Sequence, residues 1–579
     1  MSLAFAALTG TGCTATANGK KQLPADVETL VAQWSATVTL KSGTTEKKTG
    51  SATTTRAKLS AGAWDIKELP VSDEFDLDVY GCSKDKKLVY AGRNNGLKIQ
   101  EGTSQPAHIF LAPTGKLACT GSPTGQAKVS VARSLAGAAV LASGDAVVAG
   151  GVVNWKSSSG EGEGSQAIDY YDVRLGHFRP GPNLSVPRVL PHVHAIGKEG
   201  KPQVLVVGGA LAVRRISSDG SKYVLQTLVP DKVETATPSV KAELVDLTPG
   251  ASATKALSAA VDVGVGAYVL SSSIRLDKAI LFVGGVSEAG QAMDKATRLN
   301  NPEDIVAGGT GKTDSFKLNA LRVRPALLSF SDGTVVIWGG ALLPGGKAPT
   351  ADAVGELLLL ATGTLVSEKL AITGNPALVD DPNLSTIAPL VVPVARTADV
   401  LTFLVAGGMP VKSPTNALAA PTYLVTVTKS SKTAELRSVS LPGDLKLKAG
   451  LFGVGIALDG RRALVGGGLV SLAANPEVIS LCPKASPNSS EDCVMSDAWV
   501  VRVPDVLAGL DAPTPLELLH TLSFDGPRFG MATASLPLGA LLAGGQSSTR
   551  SGDTAAVLDD LGSVLTVIPA LGDAAAICK

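Results

Sequence analysis

Few places in this chain put reactive side chains at a chemically useful spacing. His192 and His194 are two residues apart, so on a strand both rings project to one side, as a pair of metal ligands would require. They are two of only five histidines and no other Cys, His or Asp cluster is near in sequence, so a packed, hydrogen-bonded pair is expected instead. Glu161 and Glu163 stand in the glycine-rich stretch 157–165, which lacks the regular Asp spacing of a calcium loop and reads as a mobile loop. Residues Ala307-Gly308-Gly309-Thr310-Gly311-Lys312-Thr313 approach a phosphate-binding pattern, but Val306 occupies the position where the first glycine belongs, and no helical pattern follows. There is no Gly-x-Ser-x-Gly elbow. No catalytic residue, cofactor or resident metal is expected, and the chain reads as a binding protein.

The elements that would carry a binding site are easier to read. An apolar run ending in paired glycines recurs seven times, at Gly150-Gly151, Gly208-Gly209, Gly284-Gly285, Gly339-Gly340, Gly407-Gly408, Gly467-Gly468 and Gly544-Gly545. An earlier apolar segment, often following an arginine (Arg133, Arg188, Arg324, Arg528), precedes each run across turn residues such as Ser143-Gly144-Asp145 or Asp332-Gly333. Third strands are expected at 167–172, 242–247, 353–360, 422–427, 498–503 and 555–559, with a fourth clearest at 563–568. Charged residues are sparse at 18%, Gly and Pro are frequent, and β-branched residues dominate the apolar set, which together favour many short strands. The 579 residues exceed one ordinary core unless the core grows by repetition. With 52 basic against 51 acidic side chains and no Lys/Arg block, nucleic acid is not an expected partner.

Four strands repeated seven times is the grammar of a β-propeller. The unit resembles the kelch repeat, on the Gly-Gly second strand, Tyr171-Asp172 on the third, Phe178 on the fourth and Pro187-Arg188 opening the next unit. Most units are degenerate in this respect, as at Leu244-Val245-Asp246. The resemblance spans residues 128–575 and implies a seven-bladed propeller. Copper enzymes of the galactose-oxidase type share that fold, so the alternative function is a degenerate oxidase or carbohydrate-active enzyme, for which the seven tyrosines and five histidines offer no recognisable ligand motif. The post-glycine segments 210–240, 286–312 and 469–496 are long and the turns short, which puts the expected binding face at the glycine end.

Upstream, residues 24–118 alternate with period two, strictly so at Phe75-Asp76-Leu77-Asp78-Val79-Tyr80, and are expected to form a small β-sandwich. The stretch Leu59-Ser60-Ala61-Gly62-Ala63-Trp64-Asp65-Ile66 resembles strands of immunoglobulin-like or transthyretin-like accessory domains. Residues 1–13, apolar or small and ending in Gly12-Cys13, resemble the end of a bacterial lipoprotein signal, and 14–23 read as a tether. That resemblance implies lipidation at Cys13, an outer-membrane location facing periplasm or cell surface, and membrane contact through the lipid alone. No other run is long enough to span a bilayer.

The six cysteines, at 13, 82, 119, 482, 493 and 578, include no zinc-type pair and suit occasional staples in an oxidising compartment. Cys482 and Cys493, within one post-glycine segment, are expected to pair. Cys119 precedes the first unit and Cys578 follows the last, so a bridge between them would close the ring; the competing pair is Cys82 with Cys119. The expected protein is an all-β monomer, a sandwich followed by a seven-bladed kelch-like propeller over 119–579. Its expected role is non-catalytic binding of an envelope or extracellular protein or glycan.

Overall fold

The computed structural model describes residues 2–7 and most of 26–578, leaving out 8–25, 214–241, 257–269, 343–352, 470–494 and a set of shorter stretches, and the chain it describes is all-β. Each glycine-paired run is the second strand of a sheet, antiparallel to the strands on either side of it. In the first sheet Gly137–Val140, Ala146–Ala149, Ile168–Asp172 and His177–Pro180 follow one another in space as in sequence. The second sheet repeats this with His192–Ala195, Gln203–Val207, Ala242–Asp246 and Thr254–Ala256. In the first sheet the second and third strands are buried throughout, which explains why the second-strand runs are continuously apolar and not alternating.

The glycine pairs carry the chain out of one sheet and tie it to the next. Gly150 and Gly151 have φ of +66° and +112°, and a Cβ on Gly151 would lie 2.7 Å from the Ser134 carbonyl oxygen, so only glycine fits the turn. The Gly151 N–H donates to the Arg188 carbonyl of the second sheet at 2.7 Å. The same bond recurs from Gly285 to Arg322, Gly340 to Thr386, Gly468 to Arg528 and Gly545 to Arg133. The last of these runs from the seventh sheet to the first. First strands also adjoin in order: Gly137–Val140 meets His192–Ala195, which meets Ser272–Leu276, then Ala326–Ser329, Leu390–Arg396, Val454–Ala457 and Ala532–Leu536, and Ala532–Leu536 meets Gly137–Val140.

Two units depart from the sequence reading. The stretch 286–312 is not one loop, because it contains the third strand Met293–Asn300 and the helical turn Pro302–Val306, and Lys312–Arg322 is the fourth strand. In the seventh sheet the third strand is Val564–Ile568, the run assigned to the fourth place. The expected third strand appears as Val557–Asp560, which pairs with Gln546–Thr549 in a separate hairpin. The vacant outer place is filled by Lys116–Cys119, antiparallel to Val564–Ile568 with Leu565 opposite Cys119. The first residues after the N-terminal region thus complete the last sheet, and the expected boundary at 118/119 falls inside a strand.

The N-terminal strands Thr29–Thr39, Thr45–Thr55, Ser72–Cys82 and Leu88–Ile99 form one antiparallel run. Pro106–Pro113 joins it through Tyr90 and Ala91 only, and pairs onward with Ser2–Ala7, which lies beside Ala63–Asp65. Phe75, Leu77, Val79, Ile109 and Leu111 share one core. The opposite face, with Tyr80, Ala91 and Phe110, buries Cys578 and packs on Leu538 of the seventh sheet. Here the expected cysteine pairing is corrected. Cys578 is bonded to Cys82, with Cα atoms 5.6 Å apart, and so not to Cys119. With Cys82 and Cys578 joined, the pairings of Cys119 with either of them are excluded, and Cys119 stands at the end of the strand Lys116–Cys119.

Candidate functional site

The residue two places before each first strand is held in the left-handed backbone region: Leu135, Leu190, Leu270, Arg324, Ala388, Phe452 and Gly530 have φ between +43° and +65°. One residue from each of the seven sheets takes part. Their peptide groups bond sideways, Leu135 N–H to Gly530 O at 2.6 Å, Leu190 to Leu135, Arg324 to Leu270, Ala388 to Arg324 and Gly530 to Phe452. These cross-sheet bonds satisfy backbone groups that no strand ladder reaches, which is a reason for six non-glycine residues to hold a costly conformation. On the glycine side of this set lies an apolar cluster that includes Val152, Ala210, Val286, Leu342, Met409 and Leu469, with the left-handed leucines and Phe452.

On the other side is a cavity of about 430 Å³, lined from every sheet by residues at or just after the left-handed positions, among them Ala138, His192, Ser273, Leu327, Gly455 and Thr533. Each first strand is the last strand of its sheet on that side, so its outer edge is unpaired within the sheet, and Gly137–Val140 and Ser272–Leu276 are half-exposed throughout. Backbone N–H and C=O groups therefore supply much of the wall. Arg324 is the one formally charged residue of the lining. Burial lowers its pKa to about 10, leaving it protonated at neutral pH. Its guanidinium lies 5.5 Å from the Phe452 ring centroid, and among the described residues no carboxylate is within ion-pairing distance of it.

Other arginines do a different job. Arg188 donates to Glu243 Oε1 through Nε at 3.0 Å and Nη2 at 2.9 Å, and to the Gly208 carbonyl through Nη1 at 2.6 Å. Arg322 repeats this on Glu356 and Gly339, Arg133 pairs with Asp169 at 2.6 Å, and Arg528 donates to the Gly544 carbonyl. Each links the approach to a first strand with the second or third strand of the same sheet.

The histidine pair is packed and hydrogen-bonded. His192 Nε2 and Nδ1 engage the hydroxyls of Ser271 and Ser273 at 2.7 and 2.8 Å, His194 Nε2 engages Ser273 at 2.9 Å, and both rings meet Phe282 edge-on. Burial, and then the charge of Arg275, lowers the His194 pKa to about 3, so this imidazole is neutral. Glu161 and Glu163 are not in a loop: Glu161–Gly164 is a strand between Val152–Lys156 and Ala212–Val213, and Glu163 accepts a hydrogen bond from Asn154. Lys312 is exposed and begins a strand where a phosphate loop requires a helix. No group of three or more His, Cys, Asp and Glu side chains that could hold a metal occurs among the described residues. Cys13, Cys482 and Cys493 lie outside the described residues. In the sequence Arg324 is one more arginine before a strand; what sets it apart is that the equivalent left-handed positions of the other units hold Leu, Ala, Phe and Gly.

No protein-family model matches the chain, and no curated protein matches it.

Proposed function

We propose that residues 116–578 form a seven-bladed kelch-like β-propeller, with residues 26–113 as a β-sandwich against its side. The protein would be a non-catalytic, extracytoplasmic binding module of a bacterial envelope. The cyclic succession of first strands, the Gly545 to Arg133 bond and the strand Lys116–Cys119 completing the seventh sheet support the closed ring.

One observation carries the binding reading: connections are unequal at the two ends of the sheets. At the turn end Leu141 and Asp145, or Phe330 and Thr334, close tight hairpins. At the glycine end the connections are long and build strands of their own, Val152–Lys156 with Glu161–Gly164, and Gln546–Thr549 with Val557–Asp560. Such a surface, set over an apolar plug, suits an envelope or extracellular protein or a glycan chain. Pull-down from envelope extracts together with a glycan array tests it: shortening 214–241 is expected to abolish capture, and Asp332→Ala in a turn to leave it intact. The opposite pattern would place the ligand at the turn end.

Lipidation of Cys13 belongs to the same proposal. It requires cleavage before that residue, which would remove Ser2–Ala7 from the N-terminal sheet. Wild type is expected to enter the detergent phase and Cys13→Ala to stay soluble; equal partitioning would reject the anchor.

A further inference from the structure

We propose that the cavity on the turn side of the left-handed residues is a second binding site, distinct from the glycine-end surface, for a small hydroxylated carboxylic acid of the uronic-acid type, with Arg324 gripping the carboxylate.

The argument begins from charge. Arg133, Arg188 and Arg322 are buried and each is neutralised by a carboxylate within 2.9 Å. Arg324 is half-buried, stays protonated, and has the ring face of Phe452 in place of an anion. A cation taken from water without a counter-ion is costly, and the cost is recovered when an anion binds. No Asp or Glu lines the cavity, so nothing in the wall competes for the guanidinium. With Phe452 against it, the guanidinium keeps N–H donors along its edge, and that planar fork matches a carboxylate through two parallel bonds.

The remaining lining selects what is attached to the carboxylate. Ser272 and Thr533 offer hydroxyls, Ser271 and Ser273 being engaged by the histidines, and the unpaired strand edges offer alternating N–H and C=O groups. Such a wall can both donate to and accept from a polyhydroxylated ring, whereas a purely apolar acid would leave these groups unmatched. About 430 Å³ lies within the range of small-ligand sites. Arg324 is also well anchored for the task, since its own peptide N–H bonds to Leu270 O and its carbonyl accepts from Ala388 N–H.

Titration calorimetry on the full chain decides the point, with D-glucuronate, D-glucose and inorganic phosphate as probes. Glucuronate is expected to bind saturably and glucose not to. Arg324→Asn, chosen because Asn tolerates positive φ, is expected to weaken glucuronate at least tenfold, and Arg324→Lys to weaken it less. Thr533→Glu, which puts a carboxylate in the wall, is expected to abolish binding independently of any change at Arg324. The inference is overturned if wild type does not bind glucuronate, if glucose binds equally, if phosphate binds more tightly than glucuronate, or if a folded Arg324→Asn binds as wild type does. Capture of the macromolecular ligand by Arg324→Asn is expected to be unchanged, so failure of the cavity proposal and failure of the glycine-end reading give different results.

Discussion

Arg322 and Arg324 are two residues apart and have opposite roles. Arg322 is fully buried with Nε 2.9 Å from Glu356 and Nη1 2.7 Å from the Gly339 carbonyl, whereas Arg324 faces the cavity. In the sequence an arginine precedes the first strand at four units, and in the fourth the one that abuts the strand, at Pro325, is Arg324. The structural register is set differently: Arg133, Arg188, Arg322 and Arg528 each stand two residues before the left-handed position. Backbone conformation, which no local pattern displayed, decides which arginine is inward. This has a measurable consequence. Arg322→Met strands the Glu356 carboxylate in a dry interior, and removing one partner of such a pair typically costs about 3–5 kcal/mol. Adding Glu356→Gln to Arg322→Met is expected to recover part of that loss. Urea unfolding followed by tryptophan fluorescence, to which Trp338 of the same sheet contributes, gives both values; a near-neutral single substitution would mean that the ion pair is structurally idle.

At the scale of elements, the second strands and most third strands were readable because burial on both faces leaves long runs of Val, Ile and Leu. The seventh sheet was not, for a physical reason. Ala555–Asp559 has as good a strand pattern as Val564–Ile568, and nothing local says which of the two pairs with Gly539–Ala543. The outermost strand, Lys116–Cys119, is four residues long and comes from the other end of the sequence, so its partner could not be found by reading outward from the repeat. Removing residues 1–119 should therefore do more than delete a neighbouring domain. It would leave Val564–Ile568 as an uncovered edge, open to pairing with other chains. The expected result is a shift to high-order oligomers in size-exclusion chromatography and a broadened thermal transition. A monomeric fragment 120–579 that melts as sharply as the full chain would show that the fourth strand is dispensable.

Across the whole molecule, the N-terminal sheet is tied to the sheets of the glycine-paired repeats by several contacts, three of them prominent. Lys116–Cys119 supplies a strand, Phe110 packs so closely on Gly176 that a Cβ there would lie 2.3 Å from the ring, and Cys82 is bonded to Cys578. The sequence suggested a covalent tie between Cys119 and Cys578; the tie instead reaches from the last residues to the N-terminal sheet, while Lys116–Cys119 is held to Val564–Ile568 by hydrogen bonds. A bridge over 496 residues of sequence removes much freedom from the unfolded chain, and a native disulfide is typically worth about 2–4 kcal/mol. Cys578→Ser is accordingly expected to lower the melting temperature while leaving the secondary structure of the glycine-paired sheets unchanged, because the pairing of Lys116–Cys119 with Val564–Ile568 persists. The cysteine inventory sharpens the test. With Cys82 and Cys578 joined, and Cys482 paired with Cys493 as the sequence suggests, Cys13 and Cys119 remain. If Cys13 carries lipid, Cys119 holds the single free thiol, and titration under denaturing, non-reducing conditions should count one. Non-reducing peptide mapping should recover the Cys82 to Cys578 link. A Cys119 to Cys578 peptide would restore the pairing expected from the sequence and remove the reason for the N-terminal sheet to depend on the last residues of the chain.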